Sequence, residues 1–393
     1  MSASFIKMIS ELHFQRFNVY LNNFVRNKTP FGIFFGYDII PENVESFVKS
    51  FQNAGLNVTC VCVIANVPSN SATMKNIGVP VVALDEFSKF GKENFKAVKP
   101  QAIYTPNLVK DLAFVPYFKR YGIESLSPLE INEQENYFLF MMSKLPELYE
   151  VYSLLSDEES KKTYRAVIKG RLTGKISDYN FAPEPQYFLE GFFPTEGDIA
   201  IDGGAYDGGT SAAFAKCGAQ VYAFEMDAEN YKNCIARAEK FNFTVENMGL
   251  SNKEGQENYF HNAYNPAGSF KGGGKEIAKF INLDTYVLKK NLPRVDYIKL
   301  DIEGAELDML HGAAQTIKTF KPKMAISAYH KPEDMWTLAT YIKSLRPDYE
   351  FKFRHYGLDF TDYVMNDLER AILDFFKLSY LAPNNGEYVL YCR

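Results

Sequence analysis

Residues 200–211, AIDGGAYDGGTS, decide the fold: a short apolar run and an aspartate lead into a glycine-rich turn. A threonine and a serine then open the alanine-rich run TSAAFAKC, which is typical of a helix. Glycines at this place let the backbone turn tightly and keep the helix close to the strand. The stretch therefore predicts a strand–loop–helix unit, whose loop either binds a ligand or serves only as a turn.

Strand-like and helix-like segments alternate on the carboxyl side of this stretch. The runs that read as strands are DIAID, QVYAFEMD, FTVENMGLS, DYIKLDIEG, KMAISAYH, YEFKFRHY and EYVLYCR. Strands that alternate with helices favour a parallel sheet covered by helices on both faces. We therefore predict a doubly wound α/β domain with a sheet of seven strands.

The amino-terminal part repeats this alternation with shorter strands, FGIFFGYDII, VTCVCVIA, VPVVAL and QAIYTP. We predict a smaller Rossmann-like α/β domain over residues 1–128, a helical connector over 129–190 and the larger domain over 191–393. The turn FFGYDIIPEN after the first strand lacks the GxGxxG pattern. A docking or oligomerisation role is therefore favoured over nucleotide binding for the smaller domain, and a homo-oligomer is left open.

Composition excludes several classes of protein. The net charge is −5 and the basic residues are spread along the chain, which argues against a nucleic-acid partner. No run approaches the roughly 18 apolar residues of a membrane span. The five cysteines show no CxxC pair and no spacing typical of zinc ligands. We therefore expect a cytoplasmic protein with no nucleic-acid partner and no membrane span.

The spacing within the glycine-rich loop indicates which cofactor it could hold. Its pattern, DGGAYDG, is not the GxGxxG of a pyrophosphate-binding loop, and instead resembles the DxGxxxG loop of class I S-adenosylmethionine methyltransferases. The methionine end of that cofactor needs a carboxylate for its ammonium group and backbone donors for its carboxylate. The candidate residues of this loop are Asp202, Gly203, Gly204, Ala205, Tyr206, Asp207, Thr210 and Ser211.

An acidic residue at the end of the next predicted strand strengthens this interpretation. Glu225 ends QVYAFE, where a carboxylate can accept hydrogen bonds from both ribose hydroxyls of an adenosine. Met226 follows directly and could cover the adenine face. The alternative is an NAD-dependent nucleotide-sugar oxidoreductase, which would also use an acid at this place, but the missing pyrophosphate loop makes NAD the poorer fit.

The run IKLDIEGAE makes the resemblance specific. Together with LDTY at residues 283–286 and DGGAYDGGTS upstream, it resembles the FkbM family of S-adenosylmethionine-dependent O-methyltransferases. The resemblance runs from about residue 150 to 356 and resumes at GEYVLYCR. It implies transfer of a methyl group to a hydroxyl of a saccharide or glycosylated metabolite, with S-adenosylhomocysteine as product. The chain departs from the family at about 357–385, where an insertion that includes DLERAILDFFKL would be a substrate lid or a dimer element.

The residues after the fourth and fifth predicted strands are candidates for the chemistry. His330 is the leading general base, because a histidine pKa can lie near neutrality, and Asp301 is the second choice. His355, after the next strand, is a third option. Glu303 caps the following helix or binds near the methionine moiety. A Mg²⁺ ion held by Asp301, Glu303 and His330 is a weaker alternative, and a non-catalytic scaffold that only binds the cofactor also stays open.

Overall fold

The computed structural model of this protein describes residues 5, 7–8, 17–36, 44–64, 77–105, 113–126, 134–261, 270–271, 274–359, 381–382 and 386–393. The chain divides into two compact units. The first unit comprises Met1–Leu145, Lys162–Phe181 and Tyr356–Asn385, and the second comprises Pro146–Lys161, Ala182–His355 and Gly386–Arg393. In the described part of the chain, no helix is long and apolar enough to cross a bilayer.

The described residues form the following helices and strands. The helices are α1 Phe17–Asn27, α2 Val44–Asn53, α3 Val115–Arg120, α4 Gln134–Ser143, α5 Leu145–Leu154, α6 Glu158–Thr173, α7 Gly209–Lys216, α8 Ala228–Phe241, α9 Leu283–Lys289, α10 Glu306–His311, α11 Ala314–Phe320 and α12 Asp334–Leu345, with 3₁₀ turns at Leu84–Lys89 and Ile176–Asp178. The strands are β1 Pro30–Phe35, β2 Asn57–Val63, β3 Val81–Ala83, β4 Ala102–Tyr104, β5 Glu124–Leu126, β6 Ile199–Gly203, β7 Gln220–Phe224, β8 Thr244–Glu246, β9 Gly249–Leu250, β10 Gly255–Phe260, β11 Phe270–Lys271, β12 Glu276–Ile281, β13 Tyr297–Leu300, β14 Lys323–Ser327, β15 Phe351–His355, β16 Leu358–Asp359, β17 Leu381–Ala382 and β18 Tyr388–Cys392.

The first unit contains a parallel sheet in the order β3-β2-β1-β4-β5. Cys60 and Cys62 alternate along β2 and lie in the same apolar cluster, with their sulfur atoms 3.7 Å apart. This is the arrangement expected of two small apolar side chains on one face of a strand. The Rossmann-like α/β character predicted for the amino-terminal part is confirmed.

The second unit contains a sheet that, within the described residues, has seven strands in the order β15-β18-β14-β13-β6-β7-β8. Every neighbouring pair is parallel except those that involve β18. The chain order reverses between β6 and β13, so these two strands flank the switch point where ligands of doubly wound sheets bind. The predicted seven-stranded α/β sheet is confirmed.

Two local features differ from what the sequence indicates, and one expected element lies outside the described residues. The run FTVENMGLS forms two short strands, and the second of them, β9, joins a separate small sheet in the order β11-β10-β12-β9. Residues 306–320 read as one continuous helix in the sequence, but the structure has two helices, α10 and α11, separated at Gly312, where an added Cβ would lie 2.1 Å from the carbonyl oxygen of Ser251. The segment DLERAILDFFKL, which also reads as a helix, lies outside the described residues.

Candidate functional site

The glycine-rich loop between β6 and α7 is packed against the end of β13. Gly204 has a φ of +77°, and a Cβ placed on it would lie 1.8 Å from the carbonyl oxygen of Asp301. Gly208 has a φ of +81°, and its added Cβ would lie 2.9 Å from the sulfur of Cys234 in α8. Both positions therefore need glycine for conformation and for space.

Tyr206 lies at the exposed tip of this loop. It adopts a left-handed conformation, with a φ of +51°, and its side chain is 43% exposed. A tyrosine in this conformation is strained unless neighbouring contacts hold it. Its backbone amide donates a hydrogen bond to Glu225 Oε2 at 2.8 Å. The loop and the acid that follows β7 are therefore in direct contact, as the sequence analysis expected of two parts of one site.

Glu225 is buried and held from two sides by backbone amides. Its Oε1 accepts from the amide of Asp227 at 2.8 Å, while Oε2 accepts from Tyr206. Burial raises the pKa of Glu225 to about 7, although the two amide hydrogen bonds oppose the shift. Each carboxylate oxygen can accept more than one hydrogen bond, so the fixed carboxylate can still receive ribose hydroxyls.

Asp202 and Lys299 form a buried ion pair beneath the loop. Lys299 Nζ lies 3.0 Å from Asp202 Oδ1 and donates to the carbonyl oxygen of Gly204 at 2.7 Å. The hydroxyl of Ser211 donates to Asp202 Oδ2 at 2.5 Å. Burial lowers the pKa of Lys299, but the charges of Asp202 and Asp301 outweigh it and raise that pKa overall. Asp202 and Ser211 thus hold the loop to the sheet, through a lysine to which the sequence analysis assigned no role.

The remaining loop residues already have polar partners. Asp207 Oδ1 accepts from the amide of Gly209 at 2.9 Å, and its Oδ2 accepts from Arg237 at 2.8 Å. The amides of Gly204 and Ala205 both donate to the carbonyl oxygen of Phe224. Gly203 ends β6, and Thr210 lies in the first turn of α7. The structure therefore gives several of the predicted ligand-binding groups a part in forming the loop.

Met226 lines a cleft of about 230 Å³ that also includes Asn247, Tyr259 and Ile277. Its side chain packs against an apolar cluster of the small sheet, formed by Tyr259, Ala278 and Phe280. The amide group of Asn247 donates to the carbonyl oxygens of Glu225 and Met226 at 3.0 and 3.3 Å. The cleft borders the ribose position suggested for Glu225, where an adenine ring would extend.

Asp301 follows β13 and is held by two tyrosine hydroxyls. Tyr187 donates to Oδ2 at 2.9 Å, and Tyr329 donates to Oδ1 at 3.1 Å. Burial opposes ionisation, but Lys299 and His330 bring the pKa of Asp301 below its ordinary value. Its side chain is 24% exposed, so this anionic carboxylate can reach a ligand at the edge of the sheet.

His330 follows β14 and is surrounded by carboxylates. Nδ1 lies 2.9 Å from Glu306 Oε1, and Nε2 lies 3.4 Å from Asp301 Oδ1 and 3.7 Å from Glu303 Oε2. Burial opposes a charge on the ring, but Glu306 and the other two acids raise the pKa of His330 well above its ordinary value. The three carboxylates favour the protonated form of the ring, and this favours Asp301 over His330 as the candidate base.

Glu303 and Glu306 have different environments in the turn before α10. Glu303 adopts a left-handed conformation, with a φ of +53°, and its side chain is partly exposed. Glu306 is fully buried, and its Oε1 accepts from the amide of Ile302 at 2.9 Å. The sequence analysis gave Glu306 no role, although its place in GAE beside Glu303 was visible. His355 is fully buried within β15, with its ring edge against Tyr388.

Residues 202–357 match the family model described as the methyltransferase FkbM domain. No curated protein sequence matches the chain. Among solved structures, the methyltransferase FkbM from Methylobacillus flagellatus KT matches with a TM-score of 0.65 and 18% identity, over 99% of this chain and 98% of that chain. This likeness shows a shared fold.

Two smaller proteins match weakly. A precorrin 8w decarboxylase from Methanobacterium thermoautotrophicum matches with a TM-score of 0.31 and 14% identity, over 51% of this chain and 83% of that chain. A putative rRNA methylase from Clostridium thermocellum matches with a TM-score of 0.30 and 12% identity, over 51% of this chain and 87% of that chain. These scores are too low to support any inference about function.

Proposed function

We propose that this chain, whose residues 202–357 match the model of the methyltransferase FkbM domain, transfers a methyl group from S-adenosylmethionine to a hydroxyl of a saccharide or glycosylated metabolite. The observation that carries the proposal is the 2.8 Å hydrogen bond from the amide of Tyr206 to Glu225. It brings the DGGAYDG loop and the ribose-binding acid together at the switch point of the sheet, where a nucleoside ligand would bind.

The residues present fit this cofactor. Glu225 is a fixed carboxylate at the end of β7, and Met226 lines the adjoining cleft. The loop has no run of glycine amides placed to bind a pyrophosphate, because the amides of Gly204 and Ala205 are used by Phe224. A dinucleotide is therefore the poorer fit.

S-adenosylmethionine, when bound, supplies an electrophilic methyl carbon attached to a sulfonium. The chain must hold the acceptor oxygen in line, roughly 3–3.5 Å from that carbon, and must remove the hydroxyl proton. We assign the removal of the hydroxyl proton to Asp301, because the side chain of Asp301 is 24% exposed whereas that of His330 is 8% exposed. Tyr187 and Tyr329 fix the orientation of this carboxylate.

Mass spectrometry of a saccharide panel incubated with the purified chain and S-adenosylmethionine tests the proposal. We expect a product heavier by one methyl substitution, and we expect Asp301→Asn to lower turnover about 100-fold or more while the cofactor still binds. Asp308→Asn, which changes an exposed aspartate on α10, is the matched control and should keep full turnover. Cofactor binding without transfer to any acceptor would instead favour a binding scaffold.

We further propose a small-molecule or glycan acceptor, since the net charge of −5 does not favour a nucleic acid. We also propose a reducing compartment such as the cytoplasm, which the five unpaired cysteines support.

A further inference from the structure

An excess of carboxylates surrounds His330 at the ends of β13 and β14. Among the residues that the structure describes, Asp301, Glu303 and Glu306 each bring an oxygen within 3.7 Å of its ring. Even a protonated imidazole carries only a single positive charge, so three carboxylates leave this group with net negative charge. A divalent cation that displaced the ring proton would offset more of this negative charge. The buried cation nearby, Lys299, is already paired with Asp202 and the carbonyl oxygen of Gly204.

The buried polar atoms of this group are in ion-pair contact with one another but are not joined by directed hydrogen bonds. Both ring nitrogens of His330 and Glu306 Oε2 are buried, and none of them forms a properly directed hydrogen bond with the described residues. The His330 side chain is 8% exposed and Glu306 is fully buried, so solvent does not supply the missing partners freely. Nitrogen and oxygen atoms that can bind a metal are close together here without hydrogen-bond geometry. This arrangement is typical of a cation site.

We propose that Asp301, Glu306 and His330 bind one divalent cation of the Mn²⁺ type at this edge of the sheet. One ligand atom from each residue lies within 4.8 Å of the other two. Ligands about 2.1 Å from an octahedral metal are about 3 Å apart when adjacent and about 4.2 Å apart when opposite, so small side-chain movements would complete the site. Two carboxylates and one imidazole suit Mn²⁺ better than a metal that prefers thiolates.

The backbone around these side chains is held in place. Glu306 Oε1 accepts from the amide of Ile302, which fixes the turn that follows β13 and leaves Oε2 for the metal. Asp301 is fixed by Tyr187 and Tyr329. A cation here would lie beside the partly exposed face of Asp301, where it could bind oxygen atoms of a polyol. The inference concerns binding alone and does not depend on methyl transfer.

The test uses the intact chain after chelation, titrated with MnCl₂ alone and followed by electron paramagnetic resonance. We expect one Mn²⁺ bound per chain, with a nitrogen coupling from an imidazole in the pulsed spectrum. Glu306→Gln and His330→Ala should each weaken binding at least 10-fold, and His330→Ala should remove the nitrogen coupling. His311→Ala, which removes an exposed histidine on α10, should bind Mn²⁺ as the unmodified chain does.

Unchanged binding in Glu306→Gln and His330→Ala, or no binding by the unmodified chain, would overturn the proposal. Circular dichroism establishes whether each variant is folded. If neither variant is folded, the nitrogen coupling in the unmodified chain tests the proposal, because the absence of this coupling would exclude His330 as a ligand. No cofactor or acceptor is present in this experiment, so its failure is separate from a failure of the proposed methyl transfer.

Discussion

Lys299 on β13 and Asp202 on β6 are register partners on adjacent parallel strands, and their side chains form an ion pair 3.0 Å long in the buried interior. The same ammonium group donates to the carbonyl oxygens of Gly203 and Gly204. The pair therefore joins the strand before the glycine loop to the strand before Asp301, across the switch point of the sheet.

Replacing Lys299 with methionine should destabilise the fold strongly. The substitution leaves the buried carboxylate of Asp202 without its counter-charge, which typically costs about 3–5 kcal/mol of unfolding free energy. Urea denaturation followed by circular dichroism measures this change. Lys318→Met, at an exposed position on α11, is the control and should change stability little. Equal stability of the two variants would show that the ion pair does not support the fold.

Alanine at position 204 should lower the free energy of unfolding much more than alanine at position 197, where a glycine has nearly the same backbone conformation. Gly197 has a φ of +80° and open space around its missing Cβ, whereas Gly204 has a φ of +77° and the carbonyl oxygen of Asp301 at 1.8 Å. Gly197→Ala should cost only the conformational strain, about 1 kcal/mol. Gly204→Ala should lose at least about 2 kcal/mol more in the same urea experiment, because the two loops must separate. Similar losses would contradict the close approach of the loops.

The seven-stranded sheet could be predicted because four of its strands, β6, β7, β13 and β14, are apolar runs that are each followed by a helical pattern. The small sheet could not, because β10 and β12 carry exposed polar side chains and their pairing depends on distant residues. A helical pattern that is continuous in the sequence is interrupted at Gly312, where the backbone of Ser251 leaves no room for a side chain. A contact of that kind has no local signal.

Only part of the site could be predicted, because some of its contacts depend on which distant residues the fold brings together. Tyr206 and Glu225 meet because their strands are neighbours, which the order of elements already implied. Lys299 alternates with Asp301 and Glu303 in the sequence, but its pairing with Asp202 depends on the register of two strands that are distant in the chain. The ordinary pKa of a histidine favoured His330 as a base, but three carboxylates brought in by folding change its protonation. Tertiary electrostatics of this kind cannot be read from a motif.

Ligand binding should strengthen with pH through the ionisation of Glu225. Ribose hydroxyls donate to the charged carboxylate, and burial raises the pKa of Glu225 to about 7. S-adenosylhomocysteine should therefore bind about 10-fold more tightly at pH 8 than at pH 6. Calorimetry at the two pH values measures this change. Glu225→Gln should lose this dependence, and an identical pH profile in that variant would assign the effect to another group.

Ionisation of Glu225 should lower the stability of the fold, although it should strengthen ligand binding. Because the folded state holds the proton of Glu225 more tightly than the unfolded state, its contribution to stability is present below pH 4.5 and is lost as the pH rises to about 7. Glu225→Gln should therefore gain stability relative to the unmodified chain between these pH values. Urea denaturation at pH 5 and pH 7.5 compares them, and a constant difference would contradict the raised pKa.

Thiol reactivity should distinguish Cys217 from the other four cysteines. Cys60, Cys62, Cys234 and Cys392 are fully buried, whereas Cys217 is partly exposed. Burial also raises the pKa of Cys234 to about 12. Ellman's reagent should react rapidly with one thiol in the native chain and with five after denaturation. Cys217→Ser should abolish the rapid phase, and a rapid phase that persists in this variant would contradict the packing described.

Calorimetric titration of the intact chain with S-adenosylmethionine tests the central claim most directly. We predict a micromolar Kd, at least 10-fold weaker binding by Glu225→Ala, and unchanged binding by Glu229→Ala, which alters an exposed acid on the neighbouring helix. The absence of binding by the folded chain, or equal affinity in Glu225→Ala, would contradict the account.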